Sequence, residues 1–314
     1  MIDSHIYPNN YEHPDGRSSI QPNNMNDIRQ HLRQPRPSLS PSRFSEDAFR
    51  SFERQAEKAA NEAAAMADVI PIIAGEGRKK YHSAKDTRFT NIALMMDHAV
   101  EPKPDVYDGA KSEQIDRRVR ESLELNILPA KNLSYPAAPN FFLEGKSADG
   151  RASVARRQAC WHGAHGARAM HSMQNFEARE PDYDGNSYSY SSTYHNGTGT
   201  LQLYSHHPTQ PQTAGKPTEY HMNQIDAFAM TGNRKTFQQG ASAFRNLREL
   251  AKVHRDSFIE QANQKAQNPL HSGSSTSPTT DSTSVPTHQA IGSDTSIDEL
   301  DCEQTYAKRP KRTT

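Results

Sequence analysis

The amino-acid sequence predicts an α/β domain in which helices pack against a mixed β-sheet. Helical segments, recognised by apolar residues at three-and-four spacing, alternate along the chain with short apolar segments typical of strands. A strand–turn–strand pattern with Asn196-Gly197 at its turn predicts a β-hairpin. Both ends of the chain lack such periodicity. The order of helix, strands, helix, hairpin and helices therefore indicates one mixed sheet flanked by helices.

Composition places this domain between two polar tails. The chain has 314 residues, 33% of them hydrophobic, with a mean hydropathy of −0.94, which is low for a chain that is folded throughout. The deficit is uneven, because residues 1–43 and 267–314 are rich in polar residues and have too few apolar groups to offset the entropy of ordering. We therefore predict one domain at residues 44–266 between two disordered tails.

Each element of the domain has its own local signal. Ser45 is a predicted N-cap, followed by acidic residues that complement the helix dipole, and Asp149 is a predicted N-cap of a later long helix. The predicted helices are 45–66, 111–123, 149–173, 219–230 and 235–262. The predicted strands are 140–144, 187–194 and 200–204, with extended chain at 102–107. Gly163 and Gly166 share one face of a helix, which predicts close packing there.

Charge and cysteine content exclude several classes of protein. Lys+Arg and Asp+Glu both number 37, and this balance argues against strong non-specific binding of nucleic acid, which depends on phosphate neutralisation. Cys160 and Cys302 lie far apart, so neither a disulfide framework nor a zinc cluster is expected. The sequence shows no signal peptide and no apolar run long enough to span a bilayer, so a membrane partner is not expected.

We therefore expect a cytoplasmic or nuclear location. The C-terminal cluster Lys308–Arg312 is basic and follows a Ser/Thr-rich segment. Such a cluster is typical of a nuclear import signal, and equally of a solubilising basic end.

Three residues suggest chemistry. Asp105 begins an extended segment after a proline, and Glu144 and Lys146 end the most apolar predicted strand. Residues i and i+2 of a strand point to the same face, so Glu144 and Lys146 can act at one place. Two carboxylates can bind a hard divalent cation such as Mg²⁺, and a lysine can stabilise developing negative charge. The alternatives are a turn residue for Asp105 and a surface ion pair for the other two.

A Pro-Asp followed by Glu-x-Lys after an apolar strand resembles the PD-(D/E)XK nuclease superfamily. Longer stretches resemble one branch of it, a nuclease-like domain found in uncharacterised fungal proteins. These stretches are 69–73, 138–146, 155–160, 167–172, 191–195 and 244–246. The resemblance covers most of residues 69–260 and implies a restriction-endonuclease-like fold, in which a mixed sheet is flanked by helices.

The resemblance also implies roles for individual residues. Asp105 and Glu144 would be the ligands of Mg²⁺, and Lys146 would be the catalytic lysine. Gln158, in the following helix, would be an accessory catalytic residue. The alternative for Gln158 is a position on a solvated helix face, beside Arg156 and Arg157. A glutamate of the first helix completes some sites of this kind. The candidates are Glu53, Glu57 and Glu62, and the sequence does not choose between them.

Two hypotheses of function follow from these residues. The first is metal-dependent hydrolysis of phosphodiester bonds in DNA or RNA. The second is a catalytically inactive nuclease-like module that binds nucleic acid or a protein partner. The adjacent residues His206 and His207 are predicted to be a polar exit from the sheet rather than metal ligands, because nothing nearby completes a ligand set.

Overall fold

A computed structural model describes residues 1–96, 99–211 and 215–268. The strands found in these residues are β1 (Ile6–Tyr7), β2 (His82–Lys85), β3 (Val106–Ala110), β4 (Ala137–Lys146), β5 (Ser189–His195), β6 (Thr200–Thr209) and β7 (Glu219–Ala229). The α-helices found there are α1 (Met25–Leu32), α2 (Glu46–Lys58), α3 (Glu62–Ala64), α4 (Ile70–Ala74), α5 (Arg117–Ser122), α6 (Glu124–Ile127), α7 (Ala152–Gln174) and α8 (Arg234–Gln267).

The strands form one sheet in the order β1-β7-β6-β5-β4-β3-β2. The pairs β1–β7 and β4–β5 are parallel, and the other pairs in this sheet are antiparallel. The predicted mixed sheet with flanking helices is therefore confirmed. The predicted hairpin is also confirmed, since β5 and β6 pair around the turn that begins at Asn196.

The two long helices pack on opposite faces of the sheet. Side chains of α8 form an apolar core with alternate residues of β4, and the rings of Phe141 and Phe244 lie edge-on with centroids 5.4 Å apart. On the other face α7 approaches closely, because it carries two glycines where side chains would clash. A Cβ at Gly163 would lie 2.3 Å from the His206 ring, and one at Gly166 would lie 2.6 Å from the Phe142 ring. The predicted close packing of the glycine face is confirmed.

The N-terminal segment is folded, which corrects the prediction of a disordered tail at residues 1–43. β1 adds a parallel strand to the edge of the sheet beside β7, and Met25, Ile28 and Leu32 of α1 are buried in the core against α8. These contacts join residues about two hundred positions apart in sequence. The apolar surface that stabilises this segment is therefore supplied by a distant part of the chain.

The segment 219–230, predicted to be a helix, is instead the strand β7. It pairs with β6 along nearly its whole length and with β1 on its other side. Its first half is buried, so it lacks the apolar–polar alternation that marks a half-exposed strand. Pairing on both sides overrides the local preference of its Met, Gln and Ala residues for a helix.

Helix boundaries agree in part with the predictions. Ser45 caps α2 as predicted, and its side chain accepts a hydrogen bond from the Ala48 N–H at 3.2 Å. Asp149 does not cap α7, whose N-cap residue is Arg151, without a side-chain cap bond. The predicted helix 45–66 stops at Lys58, resumes at α3 and continues through a π-helical turn at Ala65–Val69. The predicted helix 111–123 consists of a short 3-10 turn followed by α5.

The predicted C-terminal tail lies almost wholly outside the described residues, as does the basic cluster Lys308–Arg312. In the part of the chain that the structure describes, no helix has both the length and the hydrophobicity needed to cross a membrane.

Candidate functional site

The three predicted site residues lie together at one end of the β3–β4 pair. Val106 pairs with Leu143 in this antiparallel ladder, which places Asp105 opposite Glu144. The Gly145 N–H donates to Asp105 Oδ2 at 2.7 Å, fixing the aspartate against the neighbouring strand. The chain between the two strands is accommodated as α5 and α6. Asp105 is thus more than a local turn residue, because it is bonded across the sheet.

Glu144 is fully buried, and its two oxygens differ. Oε1 lies 2.6 Å from Nδ1 of His162, a residue of α7 that is itself only 2% exposed. Oε2 has no hydrogen-bond partner among the described residues. A buried, unpaired carboxylate oxygen is costly, since the group has lost its hydration without replacing it. Glu144 is therefore not the exposed partner of a surface ion pair.

Burial dominates the electrostatics of these groups. It raises the pKa of the Glu144 carboxyl well above its usual value, although the nearby Lys146 ammonium opposes this shift. The pKa of Asp105 is raised to about 7, first by burial and then by the Glu144 carboxylate. Burial lowers the pKa of His162 to about 3, so its imidazole is neutral. Burial disfavours the charged form of both carboxyl groups, and the Glu144 carboxylate adds to this effect at Asp105, so a cation would stabilise the ionised site.

Lys146 is oriented by Glu62. The Lys146 Nζ donates to Glu62 Oε2 at 2.8 Å, and only 11% of the lysine side chain is exposed. Glu62 begins α3, whose N-cap is Asn61, with a side-chain oxygen that accepts from the Ala64 N–H. Of the three candidate glutamates, the structure therefore brings Glu62 to the site. Glu53 instead pairs with Arg50, one turn away on α2.

The segment that carries Glu62 is pressed onto the strand at Gly145. A Cβ at this position would lie 2.5 Å from Met66 Sδ and 3.8 Å from Asp105 Oδ2. The residue between Glu144 and Lys146 is therefore a glycine because the π-helical turn containing Met66 crosses directly over it. This packing brings Glu62 within reach of the lysine.

Gln158 lies on α7, one turn before His162. It is 5% exposed, so the alternative of a solvated helix face is wrong for this residue, although Arg156 is exposed. Its Oε1 has no hydrogen-bond partner among the described residues. Burial on α7 is compatible with an accessory role at the site, but this oxygen is not bonded to Lys146, so the role stays a prediction.

Whether this donor set fits a metal ion depends on the number and type of its ligands. Among residues 1–96, 99–211 and 215–268, no group of three or more His, Cys, Asp and Glu side chains is arranged to hold a metal. Two carboxylates with one unpaired oxygen nevertheless suit Mg²⁺, which takes one or two carboxylates and keeps several waters. Asp105 and Glu144 would be the protein ligands of such an ion.

Comparison with known proteins places the chain in a family without adding a function. Residues 53–262, about two thirds of the chain, match the family described as Domain of unknown function (DUF7924). The chain belongs to this family. No curated protein matches the chain. No solved structure matches it. The family match covers Glu62, Asp105, Glu144, Lys146 and His162, so the whole candidate site lies within the family's region.

His162 is the site residue that sequence analysis missed. The histidines of this helix do not form the His-Glu-x-x-His pattern of metalloproteases, so no local motif singles out His162. The contact with Glu144 is made across the helix–sheet interface rather than along the helix. The available signal was indirect: His162 precedes Gly163, one of the two glycines of α7 at which a side chain would clash with the sheet.

Proposed function

We propose that the protein is a metal-dependent phosphodiesterase of the PD-(D/E)XK type that acts on DNA or RNA. The observation that supports this proposal is the meeting of Asp105, Glu144 and Lys146 at the end of two adjacent strands. A carboxylate pair beside a lysine can hold a divalent cation and stabilise the negative charge that develops on a phosphate, which is the chemistry of such hydrolysis. The proposed restriction-endonuclease-like character of the sheet rests on the same arrangement.

The reaction adds water across a phosphodiester bond. A water oxygen forms a bond to phosphorus, the bond from phosphorus to one sugar oxygen breaks, and that oxygen takes up a proton. Mg²⁺, when bound, would supply positive charge at the phosphate and lower the pKa of a bound water. Asp105 and Glu144 would hold the ion. The Lys146 ammonium, oriented by Glu62, would stabilise the negative charge that develops on the phosphoryl oxygens.

The test is cleavage by the purified full-length chain. Labelled single- and double-stranded DNA and RNA are incubated with Mg²⁺ or with EDTA. We expect Mg²⁺-dependent cleavage that falls at least about a hundredfold in Asp105→Asn, Glu144→Gln and Lys146→Met. Absence of cleavage of every substrate by a folded wild-type chain would overturn the proposal.

The contribution of Glu62 is tested in the same assay. Glu62→Gln removes the charge that orients Lys146, so we expect it to lower the cleavage rate by less than the substitution of Lys146 itself. Glu57→Gln is the matched control, since Glu57 is an exposed residue of α2 outside the site, and it should cleave as the wild type does. Equal rates in the two glutamine variants would remove Glu62 from the site.

A second candidate is the inactive module that binds nucleic acid or a protein partner. The observation that favours it is the burial of the site residues, since Glu144 is 0% and Lys146 only 9% exposed to solvent. In this case labelled DNA or RNA binds without being cut, and Asp105→Ala leaves the affinity unchanged. Loss of binding in Asp105→Ala would contradict this candidate.

A further inference from the structure

The position of His162 suggests a role in the candidate site that its sequence context does not indicate. The residue lies in the middle of α7, and its Nδ1 is 2.6 Å from Glu144 Oε1. With the proton on Nδ1, the imidazole donates to the carboxylate and leaves Oε2 as the unpaired oxygen. The bond therefore distinguishes the two oxygens of Glu144.

The position of His162 beside Glu144 requires two glycines within α7, which are unfavourable in a helix. α7 can bring its backbone this close to the sheet only because Gly163 and Gly166 lack side chains, and glycine within a helix is less favourable than alanine. The imidazole ring also lies near Phe142, with centroids 6.2 Å apart, which limits its rotation. The histidine is thus held between a strand residue and the carboxylate it contacts.

A similar contact orients Lys146. Glu62 bonds to Lys146 much as His162 bonds to Glu144, so each of these two site residues is held by a side chain outside the Asp…Glu-x-Lys pattern. Partners of this kind fix the rotamer of a metal ligand and commonly change metal affinity by about 10- to 100-fold. Of the two Glu144 oxygens, Oε2 is the one without a hydrogen-bond partner among the described residues, so it is the oxygen that can accept a ligand.

We propose that His162 is a positioning residue for the candidate cation site: its Nδ1–H fixes the Glu144 carboxylate so that Oε2 is presented to a hard divalent cation. This inference rests on the proposed function, since it assigns a cation to Asp105 and Glu144. It goes beyond that function in naming a residue outside the Asp…Glu-x-Lys pattern and the one atom through which it acts.

The experiment measures cation binding to the full-length chain without nucleic acid. Mn²⁺ binding is followed by electron paramagnetic resonance, with Mg²⁺ as competitor, for wild type, His162→Asn and His162→Gln. The asparagine amide nitrogen occupies nearly the place of Nδ1, whereas the glutamine nitrogen reaches to that of Nε2. We expect His162→Asn to bind within about threefold of wild type and His162→Gln to bind at least about tenfold more weakly.

The control is His165→Asn, a histidine of the same helix that is equally buried and does not contact Glu144. We expect it to bind the cation as wild type does, and near-ultraviolet circular dichroism checks the fold of each variant. If the wild type binds the cation and the two His162 variants bind it with equal affinity, the positioning role alone is overturned. A wild-type chain that binds neither Mn²⁺ nor Mg²⁺ would overturn both this role and the proposed function. Parallel weakening in His165→Asn would show a general packing effect and would also overturn the role.

Discussion

Two buried carboxylates on neighbouring strands of the sheet differ in their hydrogen-bond partners. Asp108 of β3 is 1% exposed and lies on the α8 face, where Arg248 binds both of its oxygens at 2.5 and 2.7 Å and Ser83 donates a further bond at 2.6 Å. Glu144 of β4 is equally buried on the α7 face, but it contacts a neutral imidazole and keeps one oxygen unpaired among the described residues. One carboxylate is fully compensated within the fold, and the other is not.

The hydrogen-bond partners of the two carboxylates distinguish a structural role for Asp108 from a functional role for Glu144. A buried ion pair with complete hydrogen bonding contributes to a unique fold and has no acceptor capacity left for a ligand. A buried carboxylate with a free oxygen lowers stability, and such groups are found where binding or catalysis requires them. Burial alone therefore identifies neither kind, and the partners of each oxygen must be examined.

The largest expected effect is on stability, in Asp108→Asn. The substitution leaves the buried Arg248 guanidinium without a compensating charge, so we expect a loss of about 3–5 kcal/mol in the free energy of unfolding. Urea denaturation measures it. Glu249→Gln is the control, because Glu249 is a 40% exposed ion-pair partner and should cost no more than about 1 kcal/mol. A cost for Asp108→Asn no larger than that of the control would remove the contrast between the two carboxylates.

A smaller effect on stability is expected from Gly163→Ala. This substitution tests the close approach of α7 to the sheet, which brings His162 into contact with Glu144. The added methyl would meet the His206 ring at 2.3 Å, so we expect overpacking to cost about 1–3 kcal/mol. Gly77→Ala is the control, because no described atom lies within 4 Å of the place that its methyl group would take. Thermal denaturation of both variants gives the result, and equal midpoints would show that the interface can relax.

Glu144→Gln should have little effect on stability at low pH. Because burial raises the pKa of Glu144, the folded chain keeps a proton that the unfolded chain loses as the pH rises above about 4.5. The wild type therefore loses stability over that range, and the glutamine variant does not. We expect the variant's thermal midpoint to rise relative to wild type between about pH 5 and pH 8. A constant difference across this range would contradict the unpaired, buried state of the carboxylate.

The smallest expected effect comes from His207→Phe, which extends the comparison to another unpaired group. Both ring nitrogens of His207 lack partners among the described residues, and burial lowers the pKa of this histidine to about 3. The unfolded chain protonates it below about pH 6.5, so the wild type loses up to about 1.4 kcal/mol per pH unit as the solution is acidified. The phenylalanine variant should lose less, measured by urea denaturation at about pH 7 and pH 5. Equal losses of stability on acidification in the wild type and the variant would contradict the unpaired, buried state of this imidazole.

Local patterns predicted the parts of the fold that local interactions decide. Ser45 and the Asn196 turn act through neighbours within a few residues, and the glycine face of α7 is visible as a spacing along one helix; each was predicted correctly. β7 and the N-terminal segment depend on partners far away in sequence. Ile6 pairs beside Tyr220, a contact that no local periodicity encodes. His206 and His207 were expected to leave the sheet, but both are buried within β6, since it is covered on both faces.

The residues of the candidate site also fall into those that a local sequence pattern predicts and those that depend on tertiary packing. Asp105, Glu144 and Lys146 were found because their spacing matches a known pattern, and β3–β4 pairing brings them together. The choice of Glu62 over Glu53 and Glu57 required the break between α2 and α3, for which Asn61 as an N-cap was an available signal. His162 could not be predicted, because its contact with Glu144 depends on the depth at which α7 packs.

The short strand β1 has a practical consequence for anyone who prepares this protein. The family match begins at residue 53, yet the residues before it provide β1, α1 and the buried rings of Phe49 and Phe52. A fragment trimmed to the family boundaries would expose the backbone edge of β7, and an unprotected edge strand pairs readily with other chains. Such a fragment should therefore aggregate where the longer chain does not.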